Sequence, residues 1–259
     1  MLNFKQSENS HGASNILSLY KNRGETPLEC MNRFRIENPE YKNDKMTYAG
    51  RLDPLAEGLL LFLVGEECKN KEKYLGLEKE YEVDVLFGFA TDTYDILGLV
   101  TEYKKSDKKK IKIQEILESF IGKFTQKYPA YSSKTIMGET MFSLSKSGKL
   151  NDEEIPKKDV EIKSIELLGQ KTIPKDDLEK YIKDSINLVK GDFRQEEIQK
   201  EWDNAMAKSR LDKYNIISIK VNCTSGTYMR TLANSIGEKV GIPALALNIK
   251  RTKIGKFTI

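Results

Sequence analysis

Ala49-Gly50-Arg51-Leu52-Asp53-Pro54-Leu55-Ala56-Glu57-Gly58-Leu59-Leu60 is the stretch whose reading decides the fold. A polar turn carrying one arginine and one carboxylate runs straight into an apolar block, Leu59 to Val64. Gly50 frees the backbone before the aspartate, and Pro54 fixes φ just after it. Asp53 is thereby held on a stiff bend backed by buried structure, as an attacking carboxylate must be. The plainer reading of the same residues is a turn whose aspartate caps a helix.

Working outward, the chain is 259 residues long, enough for one large domain or one domain with an insertion. Hydrophobic residues make up 39% and charged residues 32%, the balance of a soluble globular chain with a heavily solvated surface. A net charge of +4 is too small to mark the whole molecule as a polyanion binder, so any basic surface must be local. Cys30, Cys68 and Cys223 are odd in number and lack metal-ligand spacing, which suits reduced thiols in the cytoplasm. The single histidine, His11, lies in a polar start, residues 1–16, read as a loose extension. Histidine-based triads and multi-histidine zinc sites are therefore excluded. No apolar run approaches the length of a membrane span, and the start has no signal-peptide core.

Thr26, Pro27 and Glu29 form a capping box that predicts a helix to about Ile36, burying Leu28, Met31 and Phe34. Glu80 to Phe89 alternates, with Tyr81, Val83, Val85 and Phe87 on one face of a strand. Tyr81 on this pattern alone is a core tyrosine. Thr91 to Gly98 is a turn-rich loop whose carboxylate spacing is not that of an EF-hand, so no metal is expected. Lys104 to Lys112 is a dense basic run. Ile113 to Phe124 recurs at helical spacing and predicts a helix ending near Gly122. Leu178, Tyr181, Ile182, Ser185 and Val189 share one helical face. A second helix, capped by Asp192 with Gln195, carries Ile198, Trp202, Ala205 and Met206. Residues 175–213 thus read as a helical hairpin inserted between two strands, either a buttress or an added RNA or protein contact. Ile216 to Cys223 alternates as a strand and feeds a helix that buries Met229, Leu232, Ala233, Ile236 and Val240 before Gly241.

The Gly50-x-Leu52-Asp53-Pro54-Leu55-Ala56-x-Gly58 run resembles the catalytic motif of the TruB family of tRNA pseudouridine synthases. Five further segments match in the family's order. Lys21, Gly24 and Thr26 fit an opening Lys-Pro-x-Gly-x-Thr/Ser segment, with Asn22 in place of the proline; Thr91 to Gly98 and Gln126 to Gly138 follow. Gly226-Thr227-Tyr228-Met229-Arg230-Thr231-Leu232 and the closing run Ala244 to Phe257 complete the set. The resemblance covers roughly residues 17–170 and 214–259, and relatives are much shorter over 175–213.

The resemblance implies an α+β fold, a mixed, mostly antiparallel sheet with flanking helices. The catalytic domain would be residues 17–174 and 214–259. The implied reaction isomerises a uridine of the tRNA T loop, position 55, to pseudouridine, without cofactor or metal. Asp53 is then the nucleophile, and Arg230 is its charge partner rather than a surface ion pair. Tyr81 and Ile249 would sandwich the flipped base, with Tyr228 lining the pocket. Tyr48 stands where the family has a histidine that wedges the nucleotide out. Lys21 braces the loop, and Tyr131 belongs to a thumb-like segment, residues 131–150, that grips RNA with Lys134, Lys146 and Lys149. The thumb lysine of the family has shifted, because Thr135 takes its slot. The expected partner is the T arm of tRNA, with no membrane, no obligatory protein partner and a monomeric, cytoplasmic state. The sequence ends at Ile259, so a short form without the C-terminal PUA domain of some relatives is expected. The rival reading is a catalytically idle tRNA-binding or tRNA-folding chaperone of the same fold.

Overall fold

The apolar block after Asp53 becomes a strand buried on both faces, and the sheet is laid out around it. The computed structural model describes residues 15–104, 112–136 and 138–259. The polar start with His11 and most of the basic run between Lys104 and Lys112 lie outside the described residues.

Strand β1 (Ile16–Lys21) leads into helix α1 (Pro27–Glu37), then β2 (Met46–Ala49), β3 (Glu57–Val64) and the short α2 (Lys71–Leu75). Next come β4 (Lys79–Phe87), β5 (Phe89–Thr91), β6 (Val100–Tyr103), α3 (Ile113–Glu118) and β7 (Gly122–Lys127). A small hairpin, β8 (Thr135–Ile136) and β9 (Glu139–Thr140), precedes α4 (Met141–Lys146). The long strand β10 (Lys157–Pro174) runs into α5 (Lys175–Leu188) and α6 (Gln195–Lys208), and β11 (Lys213–Cys223) returns to the sheet. Helix α7 (Met229–Val240), β12 (Ala244–Ile254) and β13 (Phe257–Thr258) close the chain.

The main sheet has nine strands, with the path β1-β3-β12-β4-β11-β10-β7 and with β2 and β13 paired to β3 and β12. Its pairings are antiparallel except β3 with β12, which run parallel at Glu57 and Gly58 against Lys250 and Arg251. Gly58 is required there. Its φ is 107°, and a Cβ would sit 2.3 Å from the Arg251 carbonyl oxygen.

Strand alternation sorts the core onto the two faces of the sheet. Tyr81, Val83, Val85 and Phe87 of β4 join Ile217, Ile219 and Val221 of β11 beneath α3 and α7. The opposite face takes Leu86, Ile216 and Leu245 together with Leu178, Ile182, Ile198 and Trp202 of α5 and α6. The two helices between β10 and β11 are therefore part of the main core. Trp202 is fully buried, meets Phe89 edge-on at 5.1 Å and donates from Nε1 to the Ile96 carbonyl at 3.1 Å.

Four local expectations change. Leu28 is 54% exposed, and Cys30 is buried in its stead, because α1 turns Cys30, Met31 and Phe34 toward the sheet. The helix from Ile113 stops at Glu118, and Gly122, with φ 112°, opens β7, so Phe124 is a strand residue. The strand from Lys79 breaks at Gly88, whose φ is 112°, and Phe89 starts a separate ribbon. Helix α6 is entered through Arg194 in a left-handed conformation with no side-chain cap. Gln195 folds back onto the Val189 and Gly191 carbonyls, which leaves Asp192 outside the capping position.

Candidate active site

Asp53 caps no helix: it is followed by a tight turn and then β3. Three backbone anchors fix that turn. Ala56 N–H donates to the Asp53 carbonyl at 3.0 Å, and Gly24 N–H donates to the Pro54 carbonyl at 2.9 Å. The Lys21 ammonium, wholly buried at the end of β1, donates to the carbonyls of Ala56 (2.6 Å), Pro54 (3.2 Å) and Asn22 (3.1 Å). From the other side Arg251 of β12 donates to the carbonyls of Leu59 (2.8 Å) and Arg51 (3.1 Å). Two buried cations, from strands at opposite ends of the sequence, thus hold the backbone on either side of Asp53.

Arg230 rises from the first turn of α7 and forks onto the Asp53 carboxylate, Nε to Oδ2 at 2.8 Å and Nη2 to Oδ1 at 3.2 Å. Its remaining donors reach the Thr93 carbonyl at 2.8 Å and the Tyr131 carbonyl at 3.1 Å. The Arg230 side chain is 3% exposed, whereas that of Asp53 is 35% exposed. A buried guanidinium therefore grips one edge of a carboxylate that stays reachable from solvent.

A second carboxylate, Asp95, stands 3.7 Å from Arg230 Nε. It accepts from the Thr93 hydroxyl at 2.7 Å and the Leu97 N–H at 2.9 Å. Burial pushes the Asp95 carboxyl above its ordinary pKa, although Arg230 and Thr93 pull the other way. Burial works against the Arg230 charge as well, but Asp53 and Asp95 outweigh it and raise its pKa. Asp95 was missed as a functional residue in the sequence; its signal was the Thr-Asp-Thr-x-Asp-x-x-Gly spacing of Thr91 to Gly98.

Most of the expected residues converge on this point. A narrow cleft beside Asp53 is lined by Leu55, Ala56, Asp95, Ile96 and the β12 residues Ala246 to Ile249. Tyr228, at the start of α7, meets Tyr128 edge-on at 5.4 Å, and its backbone is clasped by Gln126 in both directions. Burial and the nearby Asp53 charge push its hydroxyl up to about 12. Tyr131 contributes its carbonyl to Arg230 and its ring to the thumb segment. Tyr81 is 8% exposed and packs in the cluster that contains Leu52, Ala56 and Ile249; it does not line the cleft. Tyr48 is set apart. Its ring lies edge-on to Phe62, with Arg51 at 6.0 Å and Lys71 at 5.6 Å over it, a half-buried aromatic ring under two cations beside the Asp53 turn. Lys134 lies 5.7 Å from the Tyr128 ring on the thumb segment.

A family model described as TruB family pseudouridylate synthase (N terminal domain) matches residues 39–188. The tRNA pseudouridine synthase B of Thermosipho melanesiensis is 32% identical over 245 residues, 94% of this chain and 65% of that protein. The enzyme of the same name from Ligilactobacillus salivarius is 31% identical over 249 residues, 94% of this chain and 68% of that protein. The chain thus spans about two thirds of the length of the curated relatives it matches. Among solved structures, that of a Cbf5-Nop10-Gar1 complex superposes with a TM-score of 0.57 at 17% identity, over 94% of this chain and 49% of that one, a likeness of fold. With the Asp53 turn inside the matched region and Arg230 brought onto it by the fold, the chain belongs to the TruB family of pseudouridylate synthases.

Proposed function

We propose that the chain converts a uridine of tRNA, the position-55 uridine of the T loop, into pseudouridine, with Asp53 as the nucleophile. The observation that carries this reading is the one-sided grip of Arg230 on Asp53: the carboxylate is charge-paired and aimed, yet keeps an open edge. The relatives' name, tRNA pseudouridine synthase B, brings tRNA here as the substrate.

The reaction is redox-neutral. An Asp53 oxygen attacks C1′ of the uridine, and the N1–C1′ bond breaks with its electron pair passing to the uracil, much as in retaining glycosidases. The uracil turns, C5 attacks C1′ and displaces Asp53; the C5 proton leaves and N1 ends protonated. Arg230 keeps Asp53 oriented through both displacements. Leu55, Ala56 and Ile249 would offer the rotating uracil an apolar wall. Tyr81 then supports that wall from behind, and its stacking on the base would follow only once the site opens. The target base must first leave its loop, at a cost of a few kcal/mol offset by stacking and phosphate contacts. Tyr48 with Arg51 and Lys71 suits a phosphate and a splayed base at the entrance.

In this reading the chain works in the cytoplasm, as a single polypeptide on the T arm. The test is incubation with unmodified tRNA transcript and with isolated T-arm and anticodon-arm stem-loops, pseudouridine being mapped by carbodiimide adducts and primer extension. A stop at the T-loop uridine, absent from the anticodon arm, is the expected result. Tight tRNA binding with no stop anywhere would turn the reading to a tRNA-folding chaperone.

A further inference from the structure

The loop between α5 and α6 reaches the active site. Asp192, Phe193 and Arg194 at its tip all engage the segment 131–146 or the Thr91–Gly98 loop. Asp192 pairs with Lys146, and Phe193 meets Phe142 edge-on at 5.3 Å, with Phe142 in turn 5.9 Å from Tyr131. Arg194 does the most. Its guanidinium forks onto Asp92, Nη1 to Oδ2 at 2.8 Å and Nη2 to Oδ1 at 3.3 Å, and lies 4.1 Å from the centre of the Tyr131 ring. Its side chain is only 10% exposed, so the ion pair and the cation–π contact are poorly screened.

What Arg194 touches is what Arg230 leans on. Asp92 adjoins Thr93, whose carbonyl accepts from Arg230 Nη1, and the Tyr131 carbonyl accepts from Arg230 Nη2. Arg194 therefore fastens together the two backbone acceptors that set the guanidinium angle behind Asp53. The fastening is held under backbone strain. Arg194 (φ 65°) and Tyr94 (φ 63°) are the non-glycine residues with positive φ among the described residues, one at the hairpin tip and the other in the Thr91–Gly98 loop that carries Asp92. Such strain persists only where surrounding contacts over-determine it.

We propose that Arg194 is a positioning residue of the active site: through Asp92 and Tyr131 the α5–α6 tip sets the orientation of Arg230 on Asp53. The inference rests on the reading of Asp53 as the nucleophile, and two readouts separate the claims. The first is single-turnover conversion of the T-arm RNA by wild type, Arg194→Ala, Arg194→Lys and Asp92→Asn, with thermal midpoints alongside. The second, without RNA, is the Arg230 Nε–H resonance in 15N-labelled protein. Arg194→Ala is expected to lower the rate constant roughly 10- to 100-fold with KM within twofold, the scale of a small misplacement of a reacting group. Arg194→Lys should restore it only in part, because lysine keeps the charge but loses the fork and the flat stacking face. Arg194→Ala and Asp92→Asn combined should cost little more than either alone. The Arg230 resonance should shift and exchange faster with solvent in both single variants. An unchanged rate constant in Arg194→Ala, or an unchanged Arg230 resonance, overturns the proposal, as does a lower melting point with full activity per folded molecule. If wild type converts no RNA, the proposed function falls, and the resonance still decides whether Arg194 sets Arg230.

Discussion

The Asp53 carboxylate meets a planar fork, and that shape matters as much as its charge. Arg230 spends its donors on Asp53, Thr93 and Tyr131, which a lysine at the same place could not do at once. Arg230→Lys is expected to keep RNA affinity and lower the conversion rate roughly 100-fold, read in single-turnover assays. The buried lysines give a second expectation at this scale. Burial pushes Lys21 down to about 8 against the pull of Asp53, and burial also pushes Lys79 down to about 8. Between those values and the ordinary 10.5 the unfolded chain binds protons that the folded chain has released, so stability rises with pH there. This contribution is complete above the unfolded value and is lost as pH falls through about 8. Burial pushes Cys30 and Cys223 up to about 11 and Tyr20, Tyr74 and Tyr228 up to about 12, so above the ordinary 9 of the thiols and 10 of the tyrosines these groups act with the opposite sign. The urea midpoint should climb from about pH 7.5 to about pH 9.5 and decline at higher pH, with Lys79→Met flattening the climb.

Among the elements, local chemistry was legible where it was self-contained. The capping box at Thr26 forms as its spacing requires, Thr26 Oγ1 accepting from Glu29 N–H at 3.1 Å and Glu29 Oε2 accepting from Thr26 N–H at 2.8 Å. Thr26→Ala should cost about 1 kcal/mol in chemical denaturation. The alternation of Tyr81 to Phe87 likewise reported a true buried face. Misreadings fell where a glycine or a tertiary contact overrode periodicity. Leu28 obeys the helix but not the face, and Phe124 continues an apolar spacing across Gly122, where the backbone leaves the helix. The α5–α6 pattern gave the hairpin and its apolar stripe, but not the tip. Arg194 and Asp92 are 102 residues apart, and a lone arginine before a helix carries no sign of its partner. Trp202 shows how firmly the hairpin belongs to the core: Trp202→Ala should destabilise by about 3–5 kcal/mol, measured by urea unfolding.

At the scale of the molecule, the Asp53 turn sits where β3 meets β12 in the one parallel pairing of the sheet, so Lys21, Asp53, Arg230 and Arg251 converge from four distant parts of the chain. The order of the motifs announced that these segments belong to one site; the pinning of the turn by Arg251 and the second carboxylate at Asp95 needed the fold to be seen. RNA affinity should fall linearly with salt on a log–log plot, and on the proposal that Asp53 meets the sugar rather than the phosphates, Asp53→Asn should leave that slope unchanged. The most direct measurement is therefore the single-turnover rate of pseudouridine formation in T-arm RNA by wild type and Asp53→Asn, each at saturating protein with binding followed on the same samples. The expected result is conversion by wild type, a loss of roughly 10⁴-fold or more in Asp53→Asn, and equal RNA affinity in both. Conversion by Asp53→Asn at a rate near that of wild type would contradict the assignment of Asp53 as the nucleophile.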